Sequence, residues 1–226
     1  MREGDEAPSG SNAPSGPWKE PPGDDLSRIL ALSDGIFAFA MTLLVLNLTG
    51  LAFLSCGSAS TPCSGGNLLS GLAGNASTFV GYVLVFFVVA LYWTVHHRIF
   101  RYIERYDSTL MWLNLLFLIF IAIMPFVLEV LNVYSSTTAG VVFFAGFSAV
   151  TGLLLATMFR HASGPARLVD SRLPDSVRHE LRRRGLVIPL VFVLSIPIAF
   201  VSPMIATYCW GAAFPASILL RRYAVG

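Results

Sequence analysis

Residues 28–46 read RILALSDGIFAFAMTLLVL. The segment is apolar except for Arg28 at its start, the adjacent Ser33 and Asp34, and Thr42 near its end. An aspartate inside a membrane helix costs about 3 kcal/mol on insertion scales, so Asp34 requires a hydrogen-bonding partner or a water-filled cavity. The segment therefore predicts a membrane helix in which Asp34 has a hydrogen-bonding partner or faces a water-filled cavity.

The rest of the chain is also rich in long apolar stretches. Of its 226 residues, 55% are hydrophobic and 12% are charged, whereas about 25% are charged in a soluble domain. A transmembrane helix needs roughly 20 apolar residues, and six stretches meet or approach that length: residues 29–54, 72–95, 110–131, 139–159, 186–201 and 203–220. The sequence predicts an all-α polytopic membrane protein with six transmembrane helices.

The basic residues lie on alternate connections. From Arg28 onward, every Lys or Arg precedes the first predicted span or follows the second, fourth or sixth. The positive-inside rule places these connections in the cytoplasm, which predicts two cytoplasmic termini. The arginine-rich connection 160–185 is predicted to be a cytoplasmic loop that lies against the membrane, with a lipid or partner site as the alternative.

Two further regions carry weaker signals. Residues 1–27 are rich in Pro, Gly and Ser and more acidic than basic, a composition that predicts a disordered cytoplasmic tail. Cys56 and Cys63 share the predicted outer loop, where an oxidising exterior would permit a disulfide; two free thiols are the alternative. Cys209 lies in an apolar span and is predicted to pack there. No metal site or cofactor is predicted.

The first predicted helix has two faces. At 100° per residue, Asp34 points about 140° away from Phe39, while Phe39, Thr42 and Leu46 lie within an arc of about 60°. Asp34 either forms a buried clasp with another helix or takes a direct part in ion or proton movement. The second face is either ordinary core packing or a functional surface, and periodicity favours packing. Possible hydrogen-bond donors to the Ser33 and Asp34 face are Arg28, Trp93, His96 and His97.

Two separated motifs resemble those of a known family. Residues 28–46 are similar to the Arg-x-x-x-Phe-Ser-Asp signature of the transmembrane protein 175 family, the lysosomal and prokaryotic potassium channels. In the same order follow Tyr92-Trp93-Thr-Val-His96-His97-Arg98, then Asp107, Leu113-Asn114-Leu115 and Met124-Pro125-Phe126. The likeness runs from Arg28 to about Leu131, and the later spans agree in topology more than in motif.

The resemblance implies a homotetramer whose pore is lined by the first helix of each chain. It assigns the face of Phe39, Thr42 and Leu46 to the pore axis, with Thr42 as the residue for ion selection. It also implies a brace within each subunit, built from Arg28, Ser33, Asp34, Trp93 and His96. Asn114 is predicted to bridge helices by hydrogen bonds, with a share in that brace as the alternative.

Two positions depart from the family pattern. Leu32 stands where relatives have Phe, a change that should alter packing but not polarity. Phe39 stands where relatives tend to have Ile or Leu, so four aromatic rings would form a bulkier constriction.

The sequence contains no motif of an enzyme: neither His-Glu-x-x-His, nor Gly-x-Ser-x-Gly, nor a phosphate-binding glycine loop. It also lacks the Thr-Val-Gly-Tyr-Gly filter, so a channel of this kind must select ions by side-chain rings. The predicted function is a leak-type potassium channel in a prokaryotic plasma membrane, with potassium and the lipid bilayer as partners and no nucleic acid. A proton-coupled or cation transporter is the alternative, although the two halves show no inverted repeat, and a non-conducting scaffold is a third class.

Overall fold

The structure is a computed structural model that describes residues 24–49, 65–164, 168–170 and 172–211. The helices are, in order, α1 (Asp24–Leu43), α2 (Leu46–Thr49), α3 (Gly65–Gly74), α4 (Ala76–Phe100), α5 (Ser108–Val133), α6 (Thr138–Ser163), α7 (Asp175–Gly185), α8 (Val187–Val201) and α9 (residues 203–211). Apart from turns, short irregular connections such as residues 104–107 and one isolated bridge between Ile103 and Val169, the described residues are helical. The predicted all-α class is confirmed for this part of the chain.

The described residues contain five helical stretches that are long and apolar enough to cross a membrane: Leu26–Leu48, Ala76–Phe100, Ser108–Val133, Thr138–Ser163 and Asp175–Val201. The sixth predicted span is helical to residue 211, and the remainder lies outside the described residues. Six spans therefore stay a prediction. Helix α1 begins at Asp24, inside the predicted tail of residues 1–27, and Leu26 of that tail packs against the core.

Helix α5 lies at the centre of the bundle, where it contacts α1, α4 and α6. Its buried side chains recur every three or four residues, which is the spacing of one helical face; they are Leu110, Asn114, Phe117, Leu118, Ile121, Met124, Val127, Leu128 and Leu131. Helix α6 then contacts α8 on its other side. Helices α1, α5, α6 and α8 therefore contact one another in succession, and α4 packs against α1, α5 and α6.

Helices α6 and α8 are in close contact at Gly152. A methyl group on Gly152 would lie 2.9 Å from Cδ and 3.2 Å from the backbone nitrogen of Pro189. Apolar helices in lipid gain no hydrophobic free energy by associating, so close van der Waals contact at small residues has to hold them together. Gly152 supplies that contact because it has no side chain.

The connection between α4 and α5 is fixed at its end by Asp107. Its Oδ1 accepts a hydrogen bond from the Leu110 N–H at 2.7 Å, which caps α5, and its Oδ2 lies 2.8 Å from Nε2 of His161 on α6. Burial raises the pKa of the Asp107 carboxyl, but the hydrogen bonds from Leu110 and His161 outweigh burial and leave this pKa below its ordinary value. Asp107 therefore ties the start of α5 to the end of α6.

The arginine-rich connection is helical in two parts. Helix α6 continues to Ser163, and α7 extends from Asp175 to Gly185 before α8 begins at Val187. Arg182 of α7 donates from Nε to the Ser163 hydroxyl at 2.8 Å and from its guanidinium to the Ser163 carbonyl at 2.6 Å. These bonds satisfy groups at the carboxyl end of α6, where a cation is also favourable. Of the 26 residues predicted as a loop, the 11 of α7 thus form a helix that contacts α6.

The Gly152 contact leads to a first prediction. Gly152→Ala should lower the unfolding temperature, since overpacking costs about 1 to 3 kcal/mol and the clashing atoms belong to a rigid proline ring and to backbone. Gly146→Ala is the matched control on the same helix, because no atom lies within 4 Å of its added methyl group. Alanine favours a helix over glycine by about 1 kcal/mol, so this control should be neutral or stabilising. Thermal unfolding in detergent, followed by size-exclusion chromatography, measures both; equal shifts would contradict the packing assignment.

Candidate functional site

The first span, which consists of α1, a turn and α2, presents one face to the bundle and another to its surroundings. Phe37, Ala40 and Leu44 are fully buried, whereas the side chains of Phe39 and Leu46 are 62% and 56% exposed. Thr42 is exposed as well. The outward face, defined here as Phe39, Thr42 and Leu46, is therefore available to another molecule or another copy of the chain.

The hydroxyl of Thr42 is oriented by the backbone. Its Oγ1 donates to the carbonyl oxygen of Phe39 at 2.8 Å, within the same helix. A hydroxyl has one hydrogen and two lone pairs, so the lone pairs of Thr42 remain available on the outward face. Thr42 can act there as an oxygen ligand for a cation.

The first span is not a regular helix along its whole length. Beyond Thr42 the backbone bonds shorten to the i to i+3 pattern: Val45 N–H donates to the Thr42 carbonyl at 3.3 Å, and Leu48 N–H to the Val45 carbonyl at 2.9 Å. This tightening separates α1 from α2 and rotates the chain more per residue than an α-helix does. The predicted arc of about 60° for Phe39, Thr42 and Leu46 assumes a regular helix. Because the helix is interrupted after Leu43, the angle does not hold for Leu46.

A buried chain of polar side chains joins α1 to α4 and α5. The Ser33 hydroxyl accepts a hydrogen bond from Asn114 Nδ2 at 3.2 Å and donates to the Ile29 carbonyl at 2.8 Å. Asn114 Oδ1 lies 2.9 Å from His96 Nε2. Because an amide oxygen only accepts, His96 carries its hydrogen on Nε2 and donates. We refer to Ser33, Asn114 and His96 as the buried polar chain.

Aromatic rings enclose the histidine of this chain. The ring of Phe117 stacks on His96 at a centroid distance of 5.5 Å and an angle of 6°, and the rings of Phe37 and Phe100 lie 5.7 Å and 4.4 Å away. Ser33, Asn114 and His96 are each at most 1% exposed. Hydrogen bonds shielded in this way have little competition from water, which favours one relative position of the three helices.

Asp34 makes a separate contact on the exposed side of α1. Its Oδ1 accepts a hydrogen bond from Trp93 Nε1 at 2.8 Å. The indole ring of Trp93 stacks on the ring of His97, with centroids 5.5 Å apart. Two adjacent residues of α1, Ser33 and Asp34, thus contact α4 and α5 through different partners.

The structure places four of the five predicted brace residues in two groups. Ser33 and His96 are linked through Asn114, so the alternative role considered for this asparagine matches its geometry. Asp34 and Trp93 bond directly. Arg28 lies on an exposed part of α1, before both groups. Cys56 and Cys63 fall outside the described residues.

Sequence reasoning missed two side chains that support this site. Phe37 lies four residues after Ser33 on the same helical face, and this spacing could have revealed its packing against His96. Asn47 donates to the carbonyl of Pro125 on α5 at 3.3 Å. A single amide at the end of an apolar run gives no such signal, because its partner is distant in sequence. Within the described residues, no group of three or more His, Cys, Asp or Glu could hold a metal ion.

Comparison with known proteins identifies a family. The family model described as "Endosomal/lysosomal potassium channel TMEM175" matches residues 28–125, a range that includes the outward face and the buried polar chain. A potassium channel of Streptomyces collinus is 30% identical over 184 residues, which are 79% of this chain and 84% of that protein.

More distant relatives agree in part of their length or in fold. The endosomal/lysosomal proton channel TMEM175 of Danio rerio is 27% identical over 95 residues, which are 42% of this chain and 18% of that protein. The crystal structure of a lysosomal potassium-selective channel TMEM175 homolog from Chamaesiphon minutus has a TM-score of 0.67 and 22% identity, covering 86% of this chain and 97% of that one. The resemblance inferred from the motifs is confirmed, and the chain belongs to the TMEM175 family of channels.

Proposed function

We propose that the chain forms a potassium channel whose pore is lined by the outward face of Phe39, Thr42 and Leu46. The observation that carries this proposal is the exposure of that face, two large apolar side chains flanking a hydroxyl, on a span that buries Phe37, Ala40 and Leu44 on another side. The relatives named as potassium channels support it. The family consists of ion channels, and the chain is not an enzyme.

A pore of this kind requires several copies of α1. One helix cannot enclose a path for ions, and we propose a homotetramer in which four outward faces meet around one axis. In this arrangement the rings of Phe39 and Leu46 form two narrow apolar constrictions, with the ring of Thr42 between them. Apolar constrictions impede ions by excluding water, so these two rings set conductance.

Selection is assigned to Thr42. Its hydroxyl hydrogen is held by the Phe39 carbonyl, which leaves lone pairs to replace part of the hydration shell of a potassium ion. Oxygen ligands of this type take the place of the carbonyl filter that the sequence lacks. Four such hydroxyls, oriented by the same backbone bond, give a ring of equivalent oxygens.

The brace residues have a supporting role in this proposal. The buried polar chain fixes the rotation of α1 about its axis, and the bond from Trp93 to Asp34 fixes it at a second point. A rotation of α1 by one residue, about 100°, would turn Thr42 away from the pore axis. We also propose that both termini are cytoplasmic and that the channel lies in the plasma membrane of a prokaryote, where the lipid bilayer surrounds it.

The first test of the proposed function is the oligomeric state. The purified particle, corrected for bound detergent, should have the mass of four chains of 24.5 kDa. Native mass spectrometry or light scattering measures it. A stable monomer with full ion flux would refute the pore assignment.

Ion flux distinguishes a channel from the other functional classes. Vesicles that contain the purified protein should release potassium down its gradient. The rate should keep rising with potassium concentration instead of levelling off at the few ions per second typical of a slow carrier. A transporter would saturate, and a scaffold would behave like protein-free vesicles. The same vesicles, loaded with a pH-sensitive dye, show whether protons follow the same route.

Substitutions on the outward face separate conductance from selectivity. Phe39→Ala should raise conductance, because it widens an apolar constriction without removing a buried contact. Thr42→Val keeps the shape and deletes the hydroxyl, so the preference for potassium over sodium should fall roughly two- to tenfold, the range for losing one polar contact of about 0.5 to 1.5 kcal/mol. Reversal potentials measured with potassium on one side and sodium on the other give both quantities.

The chain offers a matched control for each substitution. Phe126 on α5 is also 62% exposed, so Phe126→Ala removes an equally exposed ring from another helix. Thr157 on α6 is exposed and donates to the Leu153 carbonyl at 2.8 Å, so Thr157→Val deletes a comparable hydroxyl. Both controls should behave like the parent. If the variants at Phe39 and Thr42 also match a conducting parent, this face is packing and the ion path lies elsewhere.

A further inference from the structure

The break between α1 and α2 contains a polar contact that the proposed function does not use. Asn47 Nδ2 donates to the carbonyl of Leu44 at 3.3 Å and to the carbonyl of Pro125 on α5 at 3.3 Å. The first bond lies within the tightened turn, and the second crosses to another helix. One amide therefore holds the turn together and attaches it to α5.

The orientation of this amide is determined by its two acceptors. Asn47 Oδ1 is buried and accepts no hydrogen bond from the described residues. A flipped amide would place this oxygen against two carbonyl oxygens, where no hydrogen is available. Nδ2 therefore faces both carbonyls, and the bond to Pro125 is a specific one.

Helix α2 depends on such contacts for its position. It has four residues, Leu46–Thr49, and a helix of this length is not stable by itself. The backbone bonds that lead into it skip the regular pattern, as Val45 N–H bonds to Thr42 and Asn47 N–H bonds to Leu44. In the described residues α2 contacts α4 and α5 as well as α1, so neighbouring helices decide its direction.

We propose that Asn47 is a positioning residue for the constriction that the Leu46 side chains of the four subunits form, and that it acts through its bond to Pro125. Leu46 is the first residue of α2 and Asn47 the second, so the bond that fixes Asn47 also fixes Leu46. Phe39 and Thr42 lie before the break and are positioned by α1 and its brace. The two positions are therefore held by different contacts: Leu46 by the bond from Asn47 to Pro125, and Phe39 by α1 and its brace. This inference rests on the proposed function, since it assumes that Leu46 faces the pore.

The test compares the reactivity of a cysteine on each side of the break. Leu46→Cys and Phe39→Cys are prepared separately in a background with the native cysteines replaced by serine, and the protein is placed in nanodiscs that expose both membrane faces. Asn47→Ala removes the bonds to Leu44 and to Pro125 together. Adding it should raise the modification rate of Leu46→Cys by a charged thiol reagent at least about two- to tenfold, the range for losing one hydrogen bond. The rate at Phe39→Cys should not change.

Asn75→Ala is the matched control. Asn75 Nδ2 donates to the Gly71 carbonyl at 2.8 Å, four residues earlier in sequence, so its loss removes a local bond and no bond to α5. It should leave both modification rates at their parent values. An equal rise at Leu46→Cys with Asn75→Ala would overturn the assignment of a special role to Asn47.

A second variant applies if Asn47→Ala does not assemble. Asn47→Ser keeps a short donor that can bond within its own turn, as Thr42 does to Phe39, but is too short to span the gap to Pro125. It should reproduce the selective rise at Leu46→Cys. The inference is overturned if this variant leaves both rates unchanged, or if both cysteines respond equally. Potassium flux of the parent is measured in parallel, so a parent without flux refutes the proposed function, whereas a conducting parent with an unresponsive Leu46→Cys refutes only the role of Asn47.

Discussion

The arrangement of this protein depends on the hydrogen bonds that connect Ser33, Asn114 and His96. Helices in a bilayer gain little from burying apolar surface against one another, because lipid tails are equally apolar. A polar contact between three helices is therefore one of the few interactions that distinguishes one rotation of α1 from another. With Ser33 turned inward, Phe37 and Ala40 follow it into the core. The residues on the opposite side then have no position except the outward face.

The remaining packing follows the same economy. Where α6 meets α8, Gly152 allows a close approach to Pro189 that a residue with a side chain would prevent. At the ends of the spans, Asp107 and Arg182 satisfy helix termini and at the same time connect α5 to α6 and α6 to α7. Asp107 and Arg182 thus each join two elements. The result is a bundle in which hydrogen bonds hold the central helices together and hold the first span at Ser33 and Asp34.

Much of this arrangement could be predicted from the sequence, because its causes are local. Apolar length gives the spans, and the period of 3.6 residues separates the Ser33 side of α1 from the Phe39 side. The partner of Asp34 could be narrowed to a few donors but not chosen, since Trp93 and His96 lie on one helix and its rotation depends on tertiary contacts. The position of Asn114 in an apolar span predicts a residue that bridges helices, but the sequence does not identify Ser33 and His96 as its two partners. The break after Thr42 could not be predicted, because Leu43, Leu44 and Val45 carry no turn signal and the bond from Asn47 reaches a residue of α5.

The backbone-bonded hydroxyl of Thr42 has a consequence for protons. Protons move along chains of hydroxyls and water by exchanging donor and acceptor roles, and each group has to reorient after a proton passes. The Thr42 hydrogen is committed to the Phe39 carbonyl, so reorientation would first break that bond, at a net cost of about 1 kcal/mol. A metal ion makes no such demand, because it uses only the lone pairs. If four Thr42 hydroxyls line the pore as proposed, this bond favours their use as cation ligands over their use as links in a proton wire.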